Sequence, residues 1–513
     1  MSGWKLAIIG GLLLLAVSLP YAWGVVAAGE GYSFGGFLLN PIDGNSYLAK
    51  MQQGRMGSWT FTLPFTAEPG EGTYLFVFYL LLGHLSRWLG MPVGIVFHAA
   101  RILATAAMLL AIAGFISSGL REEEPWRSRL FFLACFGSGM GWIVATRFGL
   151  VTTDFWVAEA YPFLSAYSNA HFPLGIAGML WTLQIAGDNR HRTRNAILFG
   201  LGFMLSALMP FGLVVTGGVL GISLVWRWIE ERKLTWQPLF WLGLGGAPML
   251  GYYLWITQHH PQLAVWNAQN VTPSMPVWDL LVSTSPGILL ALSGMKLAWS
   301  KGKTSPLHRV VLVWFILGLV LAYIPFNLQR RFLVGFYLPV TMLAGNGLAQ
   351  IAGRVTDDWL KWIWRGWLLF SLPTTLLVVA AGIYGIQNTD PRLFLTRAEA
   401  RTLDWIERET PPDSLILASP EMGLFIPAHS GRRVLYGHPF ETVDAEQQKA
   451  EIEAFFQAGM TGERAMRYLA DRGVDYIFVG SRERALGAPV AAPGYEVIYQ
   501  QDEVVLLVRA IRP

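Results

Sequence analysis

Asp43-Gly44-Asn45-Ser46-Tyr47-Leu48-Ala49-Lys50-Met51 follows the first apolar run of the chain, 6–27, which is long enough to cross the bilayer. A carboxylate just past a first membrane span, then an aromatic and a short amphipathic helix, is poorly explained by packing alone. Asn45 or Ser46 is placed to cap such a helix, with Tyr47, Leu48 and Met51 toward lipid. Lys50, Gln52, Gln53 and Arg55 then face water. Farther on come 54–59, ending in Trp59, then Glu68-Pro69 and a second apolar stretch at 74–89. This order holds a carboxylate at the membrane surface, where it is able to deprotonate a hydroxyl or hold a divalent cation such as Mg or Mn. The competing reading is a solvated aspartate ahead of a surface helix.

Composition places the rest of the chain in lipid. Apolar residues make up 53% and charged residues 14%, against about 25% charge in a soluble domain. The expected fold is therefore a polytopic α-helical membrane protein. The net charge is +4, and the cations cluster in short loops between apolar runs. That pattern sets membrane orientation and does not call for nucleic acid. Cys135 is the one cysteine and lies within an apolar run, so neither a disulfide nor a cysteine-ligated metal is expected. Lys5 precedes a long apolar stretch with no convincing cleavage site, which reads as an uncleaved anchor.

Apolar spans are expected near 5–27, 92–117, 129–147, 171–187, 195–209, 211–228, 237–257, 279–298, 309–325, 332–352 and 366–386, about eleven crossings. Arg121, Arg127 and Arg129 flank one loop, and Arg190, His191, Arg192 and Arg194 fill another. Arg232 and Lys233, then Lys301, Lys303 and Arg309, then Arg354, Lys361 and Arg365 supply three more. These five loops share one side, which their cations make cytoplasmic. They join the Lys5 end there only if 74–89 lies in the outer interface without crossing. The loops 28–91, 148–170, 258–278 and 326–331 then face outward. Domain boundaries follow at 1–387 for the membrane part and 388–513 for a small, more charged α/β domain outside the membrane. In it, helices are expected at 398–408, 450–458 and 463–471, and strands at 414–418, 474–479, 495–499 and 503–508.

Three further constellations draw attention. The aromatic outer loop 152–162 carries Asp154 and Glu159 and is followed by His171 at a span entrance. A carboxylate site made from this loop and the first is the sharper reading, and exposed caps the plainer one. Arg330 and Arg331 are adjacent cations on the outer side, against the positive-inside bias. They act either as snorkelling anchors or as a bidentate clamp for a lipid phosphate. Arg101 lies about two turns inside a span, where charge usually faces the bundle interior, with His98 one turn away on the same face. There is no Walker A loop, GxSxG, HExxH or Cys/His metal spacing. Ser430-Gly431-Arg432-Arg433 and Gly437-His438-Pro439-Phe440-Glu441-Thr442 read as ordinary loops at strand ends.

The arrangement resembles the GT-C superfamily of membrane glycosyltransferases, in particular the protein mannosyltransferase and aminoarabinose-transferase branch. The residues that carry the likeness are Asp43, Tyr47, Gly54 or Gly57, and Trp59, then Glu68-Pro69 through Gly83, Trp88, Leu89 and Gly90, with Arg101 early in the next span. The chain departs from the family pattern at Gly44, where a second acid is common, and at Asp154 and Glu159-Ala160-Tyr161-Pro162, where the family often has an acid before a proline. The resemblance implies sugar transfer from a polyprenyl-phosphate donor to a glycan, lipid or protein acceptor on the outer face. Asp43, Asp154 and Glu159 become the candidate catalytic acids. Tyr47, Glu68, Arg101, His171, Arg330 and Arg331 become candidates for binding substrate or phosphate, and Asp43 the candidate metal ligand.

Two other classes compete with a transferase. A transporter or flippase of lipid-linked glycans would place charges at midplane or break helices in corresponding halves, whereas the acids here stand in outer loops. A non-catalytic cell-envelope assembly protein would use its C-terminal domain to recruit a partner, and the missing acid at Gly44 fits that reading.

Overall fold

In hydrocarbon every backbone N–H and C=O must be satisfied within the chain, so long apolar runs fold as helices. The computed structural model describes residues 3–119, 124–187, 193–232, 235–457, 460, 462–487, 492 and 494–510. The loop cations Arg121, Arg190, His191, Arg192 and Lys233 lie outside the described residues. Among those described, six helices are long and apolar enough to cross a membrane: Gly3–Ala27, Val93–Ser118, Trp126–Phe148, Pro210–Glu231, Gln237–His259 and Asp357–Gln387. Val277–Thr284 and Gly287–Gly302, bent by 86°, make a seventh if they form one broken span. Shorter helices occupy the other apolar runs, at His171–Ala186, Arg194–Leu208, Pro306–Ala322 and Tyr337–Ala352. The chain is a polytopic helical membrane protein. The 74–89 stretch forms a helix over Val77–Leu89, whose 13 residues reach only about 20 Å at 1.5 Å per residue.

The chain divides into two compact units. One comprises Met1–Pro20, His98–Tyr252 and Thr272–Ile383. Its helices close on glycines, where backbones approach without a side chain between them. A Cβ on Gly294 would run into the Leu343 carbonyl, and one on Gly347 into that of Leu290. Gly202 and Gly245 seal the contact of Arg194–Leu208 with Gln237–His259 in the same way.

The other unit gathers Tyr21–Phe97, Tyr253–Val271 and Tyr384–Pro513. Strand β1 (Tyr32–Phe34) pairs antiparallel with β2 (Phe394–Thr396). A five-stranded sheet follows in the order β4-β3-β5-β7-β6, built from β3 (Leu415–Leu417), β4 (Arg433–Val434), β5 (Tyr476–Val479), β6 (Tyr495–Gln501) and β7 (Val504–Arg509). β3 is parallel to β4 and β5, while β7 is antiparallel to β5 and β6. Helices stand at Arg397–Glu409, Met422–Ser430, Ala445–Phe456 and Gly462–Asp471. Ala49 and Phe65 of the 28–91 segment are buried in the same hydrophobic core as Leu403, Ile416, Phe425, Phe478 and Leu506. The Val434 amide donates to the Pro64 carbonyl at 3.1 Å, so the loop also borders the sheet.

That packing corrects the expected surface helix. The helix runs over Pro41–Arg55, so it starts ahead of Asn45 and Ser46, and neither caps it. Its supposed water face is covered: Lys50, Gln52 and Gln53 are buried. Gln52 Nε2 donates to the His429 carbonyl at 2.8 Å, Gln53 bonds both backbone groups of Thr62, and Arg55 pairs with Glu407 at 2.5 Å. On another side Gly54 lies against the Leu80 carbonyl and Gly83 against that of Met51, which draws Val77–Leu89 close. The polar residues that suggested water contact satisfy a protein interface instead.

Candidate active site

Asp43 falls in the first turn of Pro41–Arg55, where a negative charge is favoured by the helix dipole. Its neighbour must be glycine, because a Cβ at Gly44 would strike the Phe37 ring. The Asp43 side chain keeps 46% of its area open to solvent, and its Oδ1 lies 3.4 Å from His438 Nε2. One and two turns on, Ser46 Oγ donates to Glu441 Oε1 at 2.7 Å, and Lys50 Nζ meets both Glu441 oxygens at 2.7 and 3.0 Å. Lys50 is fully buried with its ammonium 4.2 Å from the Phe76 ring centroid. Burial alone would raise the Glu441 carboxyl, but the Lys50 charge and the hydrogen bonds outweigh it and hold the group below the usual range. Tyr47 stacks on Tyr79 at 4.4 Å, and Glu68 is exposed in the following loop.

The other candidates lie in the first-described unit. Asp154 is buried, with Oδ2 accepting from the backbone N–H of Gly139 and Gly141 at 3.1 and 3.2 Å and Oδ1 from Thr152 at 2.7 Å. These amides flank the break between Glu124–Phe136 and Gly141–Phe148, so the carboxylate satisfies N–H groups at a helix start. Burial pushes its carboxyl up to about 6, opposed by hydrogen bonds from Thr152, Thr374, Gly141 and Gly139. Glu159 is buried between two guanidinium groups, Arg330 Nε at 3.8 Å and Arg331 Nη1 at 3.5 Å from its Oε1. The Arg330 guanidinium also lies 4.5 Å from the Trp156 ring centroid. Backbone bonds from Gly335 to the Glu159 carbonyl and from Tyr337 to that of Ala160 hold the two loops together. Arg101 is buried and donates to the carbonyls of Val17 at 2.9 Å and Ala166 at 2.7 Å, with Nε 3.3 Å from His98 Nδ1. His171 opens its helix half-buried, its ring 4.2 Å from that of Phe172.

Among the described residues no group of three or more His, Cys, Asp or Glu could hold a metal ion. At Asp43 the nearby carboxylate of Glu441 is already committed to Lys50 and Ser46. The donor set does not fit a hard-cation cage of several oxygens.

Sequence reasoning passed over two groups. His438 and Glu441 belong to a motif read as a plain loop, and they meet the one helix face that holds Asp43, Ser46 and Lys50. Asp279 is the other: buried at the start of Val277–Thr284, it accepts from the Thr153 amide and hydroxyl at 3.0 Å and from Ser283 at 2.5 Å. A glycine-flanked His-Pro-Phe-Glu-Thr turn was the available signal for the first. A carboxylate placed inside an apolar run was the signal for the second.

No family model matches the chain. The undecaprenyl phosphate-alpha-4-amino-4-deoxy-L-arabinose arabinosyl transferase of Pectobacterium carotovorum is 25% identical over 211 residues, 38% of this chain and 36% of that one. The match thus spans little more than a third of that relative's length. The Archaeoglobus fulgidus oligosaccharyltransferase in its apo form superposes with a TM-score of 0.55 at 12% identity, over 99% of this chain and 74% of that one. ArnT from Cupriavidus metallidurans bound to undecaprenyl phosphate gives 0.51 at 12% identity, over 98% of both chains. At such identities what is shared is the fold, and it is shared along nearly the whole chain: this protein has the fold of the Archaeoglobus fulgidus oligosaccharyltransferase and of ArnT from Cupriavidus metallidurans.

Proposed function

We propose that this chain is a membrane glycosyltransferase that moves a sugar from a polyprenyl-phosphate donor to a hydroxyl of a glycan, lipid or protein acceptor on the outer face of the membrane. The observation that carries this reading is Asp43, a half-open carboxylate on a helix fixed by packing on two sides, just past the first apolar run. The likeness to an undecaprenyl phosphate-alpha-4-amino-4-deoxy-L-arabinose arabinosyl transferase supports the chemistry. The undecaprenyl phosphate held by a structure of the same fold supports the carrier.

In this reaction the acceptor oxygen attacks the anomeric carbon, the bond from that carbon to the phosphate oxygen breaks, and polyprenyl phosphate leaves. Asp43 takes the acceptor proton as general base. Arg330 and Arg331, turned toward Glu159 and Trp156, are the proposed clamp for the carrier phosphate. Asp154 and Arg101 act as positioning groups in their loops, Tyr47 as a wall of the acceptor side, and Glu68 and His171 as peripheral contacts.

The proposed topology is about eleven spans with the N-terminus cytoplasmic, 1–387 as the membrane part and 388–513 as an extracytoplasmic α/β domain. The segments 21–97, 253–271 and 384–513 share one compact unit. Their shared unit supports an even number of crossings between them, as this count has.

The test uses the full chain in lipid nanodiscs. Binding is read with undecaprenyl phosphate, and turnover as release of undecaprenyl phosphate from undecaprenyl-phosphate pentoses and hexoses in the presence of membrane lipid extract. Asp43→Asn should keep its melting temperature and carrier affinity while turnover falls about 10²–10⁴-fold. Near-normal turnover in this variant removes Asp43 as the base. Arg330→Gln with Arg331→Gln should weaken undecaprenyl phosphate binding by about 1.5–3 kcal/mol for each charged hydrogen bond lost. Unchanged affinity would leave the pair as membrane anchors.

A further inference from the structure

The turn 437–442 of the C-terminal segment is built as a clamp around one ring. His438 Nδ1 accepts from the backbone N–H groups of Phe440 and Glu441, both at 3.1 Å. In the neutral imidazole the proton must then sit on Nε2, the nitrogen facing Asp43 Oδ1 at 3.4 Å. The turn is closed by Thr442 Oγ1, which accepts from the amides of Gly437 and His438 at 3.4 and 3.3 Å. Gln269 donates to the Thr442 carbonyl and, at 3.4 Å, to that of Phe440. Gly437 is required at the entry, since a Cβ there would meet the Gly423 carbonyl and the Phe65 ring. The His438 side chain is only 3% exposed.

The same turn grips the Asp43 helix a second time. Glu441 takes hydrogen bonds from Ser46 and Lys50, and the Lys50 ammonium is capped by the Phe76 ring. Asp43, Ser46 and Lys50 stand at i, i+3 and i+7, one face of one helix. A buried ion pair is weak evidence for stability, because desolvation cancels much of its Coulomb gain. Its established use is to fix register, and here the register it fixes is that of the imidazole against the carboxylate.

We infer that the 437–442 turn is a working part of the catalytic site: His438 is a positioning residue that holds the Asp43 carboxylate through Oδ1, and the Lys50–Glu441 pair is the latch that keeps it there. The inference rests on the transferase reading for its kinetic consequence, while the contact itself is independent of that reading. A general base fixed at one oxygen presents the other in a constant direction, and loss of orientation by about 1 Å is able to cost 10²-fold in rate.

Two readouts separate the possibilities, both on the full chain in nanodiscs. The first is turnover as above, in His438→Ala and in His438→Gln, whose amide N–H is able to replace the ring donor. His438→Ala should lose about ten- to a hundred-fold in kcat with undecaprenyl phosphate affinity little changed, while the lost acceptor for the Phe440 and Glu441 amides lowers the melting temperature. His438→Gln should recover most of that loss. A merely structural histidine would move the melting temperature with kcat of the folded enzyme unchanged and would not be rescued by a donor. The second readout needs no activity: carbodiimide coupling of glycine ethyl ester to Asp43, followed by peptide mass spectrometry. Coupling should quicken severalfold in His438→Ala and stay near wild type in His438→Gln. Unchanged coupling in His438→Ala, or a wild-type kcat in it, overturns the inference. If wild type itself releases no undecaprenyl phosphate from any donor, the transferase reading falls, and the coupling rates still decide whether His438 holds Asp43. Should His438→Ala fail to fold, His438→Phe keeps the ring volume without the donor and takes its place.

Discussion

Lys50 is the residue whose surroundings invert its sequence reading. An ammonium on a flexible stem is expected in water, yet here it is buried between Glu441, Ser46 and the Phe76 ring. Removing one member of such a pair strands the other charge. Glu441→Gln should therefore destabilise the chain by about 3–5 kcal/mol, while replacing both residues with apolar ones of similar size should cost far less. The pH dependence has a definite sign. The Glu441 carboxyl is held below its ordinary 4.5, so its contribution is fully present above that value and is lost as pH falls through the folded-state value. The melting-temperature gap between wild type and Glu441→Gln should be widest near neutrality and close in acid. A gap constant with pH would mean that charge is not what Glu441 supplies. The sequence reading set Asp43 ahead of the helix and Ser46 at its cap, so the face that Asp43, Ser46 and Lys50 share emerges only once the helix starts at Pro41. Their partner was not legible from the sequence either, because Glu441 lies 391 positions beyond Lys50 and no periodicity reports a contact at that range.

At the scale of elements, the pair Pro41–Arg55 and Val77–Leu89 sets where the candidate base stands. The two helices touch through Gly54 and Gly83, each facing a carbonyl of the other. Gly83→Val would drive a branched side chain into the Met51 carbonyl and push the helices apart, an overpacking cost of about 1–3 kcal/mol. Turnover should fall further than stability alone accounts for, because Asp43 rides on the displaced helix. Gly94→Ala is the control, since nothing lies within 4 Å of a Cβ there. Equal behaviour of the two variants in melting and turnover assays would refute the account of the crossing. Hydrophobic period and turn chemistry marked the Arg397–Glu409 and Gly462–Asp471 helices and the strands β3, β5, β6 and β7 closely. They left out β1, β2, β4 and the helices Met422–Ser430 and Ser481–Leu486. The first three have two or three residues each, too short for an alternation to register, and Met422–Ser430 is apolar on nearly every side because it is enclosed. The same enclosure misled the reading of Pro41–Arg55. Polar residues that bond a protein interface look identical, in sequence, to polar residues that face water.

For the whole molecule the decisive quantity is the parity of crossings. Segments 21–97, 253–271 and 384–513 form one compact unit, and the proposed topology returns the chain to the same side twice. The long helices Val93–Ser118, Trp126–Phe148, Pro210–Glu231 and Gln237–His259 lie between the first two segments, with the shorter His171–Ala186 and Arg194–Leu208 among them. Counting both shorter helices as spans, or neither, preserves the return. Counting one alone breaks it. In the proposed topology the cations Lys301, Lys303 and Arg309 mark the opposite, cytoplasmic side. Cysteine labelling in intact cells checks this directly, on a Cys135→Ala background whose buried thiol is otherwise the chain's only one. Glu68→Cys and Glu503→Cys, both at exposed positions, should react with a membrane-impermeant maleimide from outside. Lys303→Cys, exposed on the other side, should react only after permeabilisation. Protection of both Glu68→Cys and Glu503→Cys would invert the orientation and place the candidate base in the cytoplasm, where an outer-face acceptor could not reach it. Labelling of one but not the other would break the compact unit itself, and with it the contact of His438 with Asp43.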